Sequence, residues 1–87
     1  STAQKVENKI KTVVIDPGHG GFQPGTMSKN SKEKDITLKV GLKVGKYISD
    51  NLPDVKVLYT RTNDVAVGLD QRAKLANDNQ ADAFISI

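Results

Sequence analysis

The sequence predicts an α/β fold: a mainly parallel sheet with helices on both faces, in three layers. Two observations predict it. Apolar, β-branched runs alternate with longer stretches of helical period, in the order strand, helix, strand, helix, strand. The first run, Thr12-Val13-Val14-Ile15-Asp16, is almost continuously apolar, as a parallel strand covered on both faces should be. Helices acting as crossovers make the strands parallel, with right-handed connections.

Each element has its own reason. Residues 1–11 are polar and lysine-rich, with isolated Val6 and Ile10, and read as a linker or N-terminal arm. Residues 12–16 are the first strand, and Pro17 stops it because proline has no N–H for a ladder. Residues 17–32 are a long loop holding four of the seven glycines, with a turn signal at Phe22-Gln23-Pro24-Gly25. A loop of this length is usually functional or disordered. Residues 35–52 fit two periods. Ile36, Leu38, Val40, Leu42 and Val44 alternate like a strand, whereas Ile36, Val40, Val44, Tyr47, Ile48 and Leu52 share a helical face. Length decides for a helix, with Asp35 as its N-cap, Asn51-Leu52-Pro53 as its stop and the second set as its core-facing stripe. Gly41 and Gly45 weaken either pattern. Residues 55–60 are the second strand. Residues 69–79 are a second helix whose inner face is Leu69, Arg72, Ala73, Leu75 and Ala76, with the Arg72 head paired to an acid. Residues 83–87 are the third strand.

The chemistry gathers where the first strand ends. His19 is the only histidine, and it sits in Asp16-Pro17-Gly18-His19-Gly20-Gly21. A lone histidine in a turn is often a polar surface residue. Here the glycines let the backbone bend and let a ligand come close, and neutral imidazole is the commonest protein ligand for zinc. Glu33 follows fourteen positions on, at or near the start of a helix. It is either a metal ligand or a first-turn acid favoured by the helix dipole. Asp16 is either a partner behind the ligands or a strand-end acid satisfying backbone N–H groups. The Gly-His-Gly-Gly order lacks a Walker Lys-Ser/Thr, which argues against a nucleotide loop. Arg61 follows the second strand, at the edge where open α/β sheets place ligands, and reads as a brace to Asp64 or to a helix.

Five segments occur in order: Val14-Ile15-Asp16-Pro17-Gly18-His19-Gly20-Gly21, Glu33-Lys34-Asp35, Tyr59-Thr60-Arg61-Thr62-Asn63-Asp64, Leu69 to Asn77, and Ala81-Asp82-Ala83-Phe84-Ile85-Ser86-Ile87. Together they resemble the zinc-dependent N-acetylmuramoyl-L-alanine amidases of the Amidase_3 type, over about residues 11–87. The resemblance implies a peptidoglycan hydrolase of the cell envelope, secreted or periplasmic. It cleaves the amide between N-acetylmuramic acid and the L-alanine of the stem peptide. It also implies Zn2+ held by His19 and Glu33, with Asp16, Gly20 and Gly21 supporting the loop. The third family ligand, a histidine, would follow Ile87, and the catalytic glutamate would come later still. On this reading residues 12–87 are the N-terminal part of a catalytic domain. The expectation is that these residues alone bind zinc weakly, are inactive, and pair with the rest of the domain or self-associate through an exposed sheet edge.

Bulk properties bound the alternatives. Eighty-seven residues make one domain at most, with 37% hydrophobic and 26% charged residues. Net charge is +3 and the pI about 9.3. The lysines are dispersed, with no basic run and little aromatic interleaving, which argues against nucleic acid and is compatible with an anionic wall polymer. There is no cysteine, hence no disulfide or thiolate metal site. No stretch approaches the roughly 18 apolar residues of a membrane helix; no signal peptide is read in these residues, and the Ser1-Thr2-Ala3 start, which lacks a Met, reads as a trimmed terminus. Three rivals stand beside the hydrolase: an amidase-like domain that binds wall without cutting it, a small α/β interaction protein, and a carboxypeptidase-like zinc enzyme.

Overall fold

A computed structural model describes residues 10–21 and 32–87. The predicted turn at Phe22–Gly25 and nearly all of the predicted N-terminal arm lie outside the described residues. The elements run β1 (Thr12–Asp16), α1 (Glu33–Asn51), β2 (Lys56–Tyr59), α2 (Leu69–Asp78) and β3 (Ala83–Ser86). All three strands are parallel, in the order β2-β1-β3. The predicted fold class is therefore observed. The strands agree with the sequence reading to within a residue at each end.

β1 is central, and this explains its composition. Val13, Val14 and Ile15 are buried, as is Pro17 after them. A strand with neighbours on both sides and a helix on each face has no polar surface to offer, and β-branched residues fill that position well. Ile15 is in register with Tyr59 and faces α1, where Gly41 and Gly45 approach Ile15 and Tyr59. Asp16, one residue on, points to the opposite face and meets Arg72 of α2.

Two expectations are corrected. α1 starts at Glu33, two residues before the expected Asp35, because Lys32 O already accepts from the N–H groups of Asp35 and Ile36. Lys32 is the N-cap, with extended backbone and no side-chain cap. The helix ends at Asn51. Its inner face is also rotated by one residue, about 100°. Lys34, Thr37, Gly41 and Gly45 are buried, Val44 and Ile48 are half-buried, and the expected core residues Ile36, Val40, Tyr47 and Leu52 are exposed. The reason is the closeness of the packing. A Cβ on Gly41 would press against Pro17 at 2.8 Å, and one on Gly45 would overlap the Tyr59 ring. Only the glycine face lets α1 sit this near the sheet.

The inner face of α2 is corrected likewise. Arg72 is buried and Leu75 and Ala76 are half-buried, but Ala73 is exposed and Leu69 is 84% exposed. α2 is held to the sheet by the Arg72 head more than by apolar area.

Candidate metal centre

The site begins where β1 ends. Past Pro17 the backbone is left-handed at three successive residues: His19 at φ 62°, Gly20 at 122° and Gly21 at 54°. Glycine adopts such values freely, but histidine does so at a cost of about 1–2 kcal/mol. Surrounding contacts must therefore impose the conformation on His19.

Those contacts are cations on carbonyls. A strand that ends in a turn leaves its C=O groups without ladder partners, and buried ones need donors. Arg61 Nε donates to Pro17 O at 3.0 Å and Nη2 to Gly18 O at 2.7 Å. Arg72 Nη1 donates to Pro17 O and Nη2 to His19 O, both at 2.9 Å. Lys34 Nζ donates to Gly21 O at 2.8 Å. Thr37 Oγ1 donates to Gly18 O at 2.6 Å. Gly21 N–H donates to Asp64 Oδ1 at 2.6 Å, and Lys34 Nζ pairs with Asp64 Oδ2 at 2.8 Å.

All three cations are buried. Arg72 is paired with Asp16, which also accepts from Thr60 Oγ1 at 2.8 Å. Among the described residues Arg61 has only carbonyl and hydroxyl acceptors. Burial, and then the Arg72 charge, draw its pKa below the ordinary value. The Lys34 hydrogen bond, and then the Gly21 N–H, hold the Asp64 carboxyl below the usual carboxylate range.

On this frame the two candidate ligands meet. His19 Nε2 lies 3.0 Å from Glu33 Oε1, and each side chain is about two-fifths exposed (38% and 41%). His19 is placed by the loop after β1, and Glu33 by the first position of α1. Donor atoms around a tetrahedral zinc, each about 2.0–2.2 Å from the ion, stand roughly 3.3 Å apart. The observed separation and the imidazole–carboxylate chemistry therefore fit two positions of such a site. Among the described residues no cluster of three His, Cys, Asp or Glu forms, so the pair supplies two donors.

The other candidates fall elsewhere. Asp16 lies one step back, acting on Arg72, which in turn holds His19 O. Gly20 and Gly21 admit the chain's own segment. A Cβ on Gly20 would strike Val65 O and come within 2.9 Å of Arg61 Nε, and one on Gly21 would meet Ala66 N at 2.7 Å. Arg61 does reach a helix, at Lys34 O (2.8 Å), whereas Asp64 takes Lys34 instead. Sequence reasoning missed the roles of Lys34 and Thr37. The one available signal was that both fall on a single α1 face with Gly41 and Gly45.

Fold and site define a parallel α/β domain with an imidazole–carboxylate pair at the C-terminal edge of its central strand. Residues 13–87 match Amidase_3, the N-acetylmuramoyl-L-alanine amidase family, and the chain belongs to it. A sporulation-specific N-acetylmuramoyl-L-alanine amidase of Bacillus subtilis is 39% identical over 75 residues, which is 86% of this chain and 29% of that protein. The N-acetylmuramoyl-L-alanine amidase AmiA of Escherichia coli is 36% identical over 78 residues, covering 88% and 26%. The crystal structure of an N-acetylmuramoyl-L-alanine amidase from Clostridium difficile 630 superposes with a TM-score of 0.82 at 42% identity, covering 90% of this chain and 42% of that one. The chain thus spans about three-tenths of the length of these two curated relatives.

Proposed function

We propose that this chain forms part of a peptidoglycan amidase of the cell envelope or exterior. The reaction is hydrolysis of the bond between N-acetylmuramic acid and the L-alanine of the stem peptide. Family membership supports the reaction class. The convergence of His19 Nε2 and Glu33 Oε1 at 3.0 Å supports the metal reading. His19 and Glu33 would hold zinc, which when bound polarises a carbonyl and lowers the pKa of water.

The chain's own residues supply position. Arg72 and Arg61 fix the carbonyls on either side of the His19 ring, so the imidazole meets Glu33 without reorganising. Lys34 and Asp64 fix the loop beyond it. Among the described residues no helix is long and apolar enough to cross a membrane.

The test is zinc content and release of stem peptide from purified peptidoglycan by a complete amidase that contains residues 1–87. We expect about one zinc per molecule. His19→Ala and Glu33→Gln should each lower turnover by more than about 100-fold and deplete the metal. A metal-free complete amidase that cleaves the amide would overturn the zinc assignment. One that binds peptidoglycan without cutting it would overturn the enzymatic one. The polypeptide of residues 1–87, with two donors at the site among the described residues, should bind zinc weakly and show no turnover.

A further inference from the structure

Arg61 is hard to explain as a stabilising residue. It is 4% exposed and makes no ion pair among the described residues, and its charge rests on neutral acceptors. The carboxylates of Asp64, Asp35 and Asp16 act on it only from beyond ion-pair distance. A buried charge so weakly compensated is a poor source of stability, where an apolar residue of similar volume often does better. What it does have is a geometry that no other side chain offers. Nη2 lies 2.7 Å from Gly18 O, 2.8 Å from Lys34 O and 3.1 Å from Thr37 Oγ1. Gly18 immediately precedes His19, and Lys34 immediately follows Glu33. A single nitrogen therefore ties the backbone beside one candidate ligand to the backbone beside the other. Nε and Nη1 then lock the guanidinium plane to Pro17 O and Asn63 O, at 3.0 and 2.9 Å.

We propose that Arg61 is a positioning residue that sets the spacing and orientation of His19 relative to Glu33. Gly20 is part of the same device, because a side chain there would enter the space through which Arg61 Nε and Cδ pass. Lysine cannot replace Arg61. It keeps the charge but presents one nitrogen on a flexible stem, where the planar fork serves five acceptors at once.

The proposal rests on the reading of His19 and Glu33 as a metal-holding pair, and two measurements separate the two ideas. The first is made on the metal-free form of the complete amidase that contains these residues: NOEs between the His19 imidazole and the Glu33 side chain. The second is zinc affinity by chelator competition. We expect Arg61→Lys to lose the NOEs and to weaken zinc binding about 10–100-fold. Lys46→Ala, on the exposed face of α1, should change neither. Thr37→Val removes one shared hydroxyl and leaves the guanidinium, and should weaken binding a few-fold with weaker NOEs. If Arg61→Lys does not fold, Thr37→Val decides.

A variant that melts earlier but keeps both NOEs and affinity would show a merely structural role and overturn the proposal. Wild type that binds no zinc, with NOEs that Arg61→Lys abolishes, would remove the metal reading and leave the positioning role standing.

Discussion

The two ends of β1 solve the same problem with opposite charges. At its start the N–H groups of Lys11 and Thr12 lack ladder partners, and Asp82 Oδ2 accepts both, at 2.7 and 2.9 Å. At its end the carbonyls of Pro17, Gly18 and His19 lack partners, and Arg61 and Arg72 donate to them. The anion is solvent-exposed and the cations are buried. An exposed carboxylate is screened by water and fixes little. Buried guanidiniums are costly to desolvate and fix a great deal. The start of the strand is merely satisfied. Its end is held to a geometry that includes a strained histidine, and that is where the candidate ligands stand.

If this contrast is right, changes at the two ends should differ in size. The largest effect belongs to Gly20→Ala. Its φ of 122° is closed to alanine, and the new Cβ would meet the backbone oxygen of Val65. Strain and clash together should cost about 4 kcal/mol. Chemical denaturation should show it, and a cost under about 1 kcal/mol would mean that the loop is free to move. Asp16→Ala comes next. It leaves Arg72 buried without its carboxylate, at about 3 kcal/mol. Gly45→Ala forces a methyl into the Tyr59 ring and should cost about 1–3 kcal/mol, read the same way.

Legibility in the sequence follows the range of the interactions. β1, its stop at Pro17 and the His19 turn are written in neighbouring residues, so local pattern alone reveals them. The face of α1 is not written that way. Ile36, Val40 and Tyr47 look like a core stripe, and Gly41 and Gly45 look like weak points. What reverses them is Tyr59 and Pro17 lying close beneath the helix, a tertiary fact that periodicity does not contain. The meeting of His19 with Glu33 is legible as two candidates on one sheet edge. The device that spaces them is legible only in part. Helical period puts Arg72 on an inner face with an acid for its head, and Arg61 reads as a brace to a helix, as observed. But arginine and lysine are exposed by default, and nothing local shows that Arg61 gathers the carbonyls beside both candidate ligands or that Lys34 is buried.

The smallest effect should fall at the start of β1, and pH can isolate it. Hydrogen bonds from the Lys11 and Thr12 N–H groups hold the Asp82 carboxyl below its ordinary value of 3.8. A carboxyl with a lowered native pKa stabilises the fold at pH values above 3.8, and that contribution is lost as pH falls through the native value. Asp82→Asn keeps the shape and removes the charge. At pH 7 it should lower Tm by only about one or two degrees, since the group is exposed. The gap from wild type should stay constant down to about pH 4 and close below it. A gap as wide as that of Asp16→Ala would place both ends of β1 under the same control. A narrow gap that closes in acid confines the rigid frame to the end that carries His19.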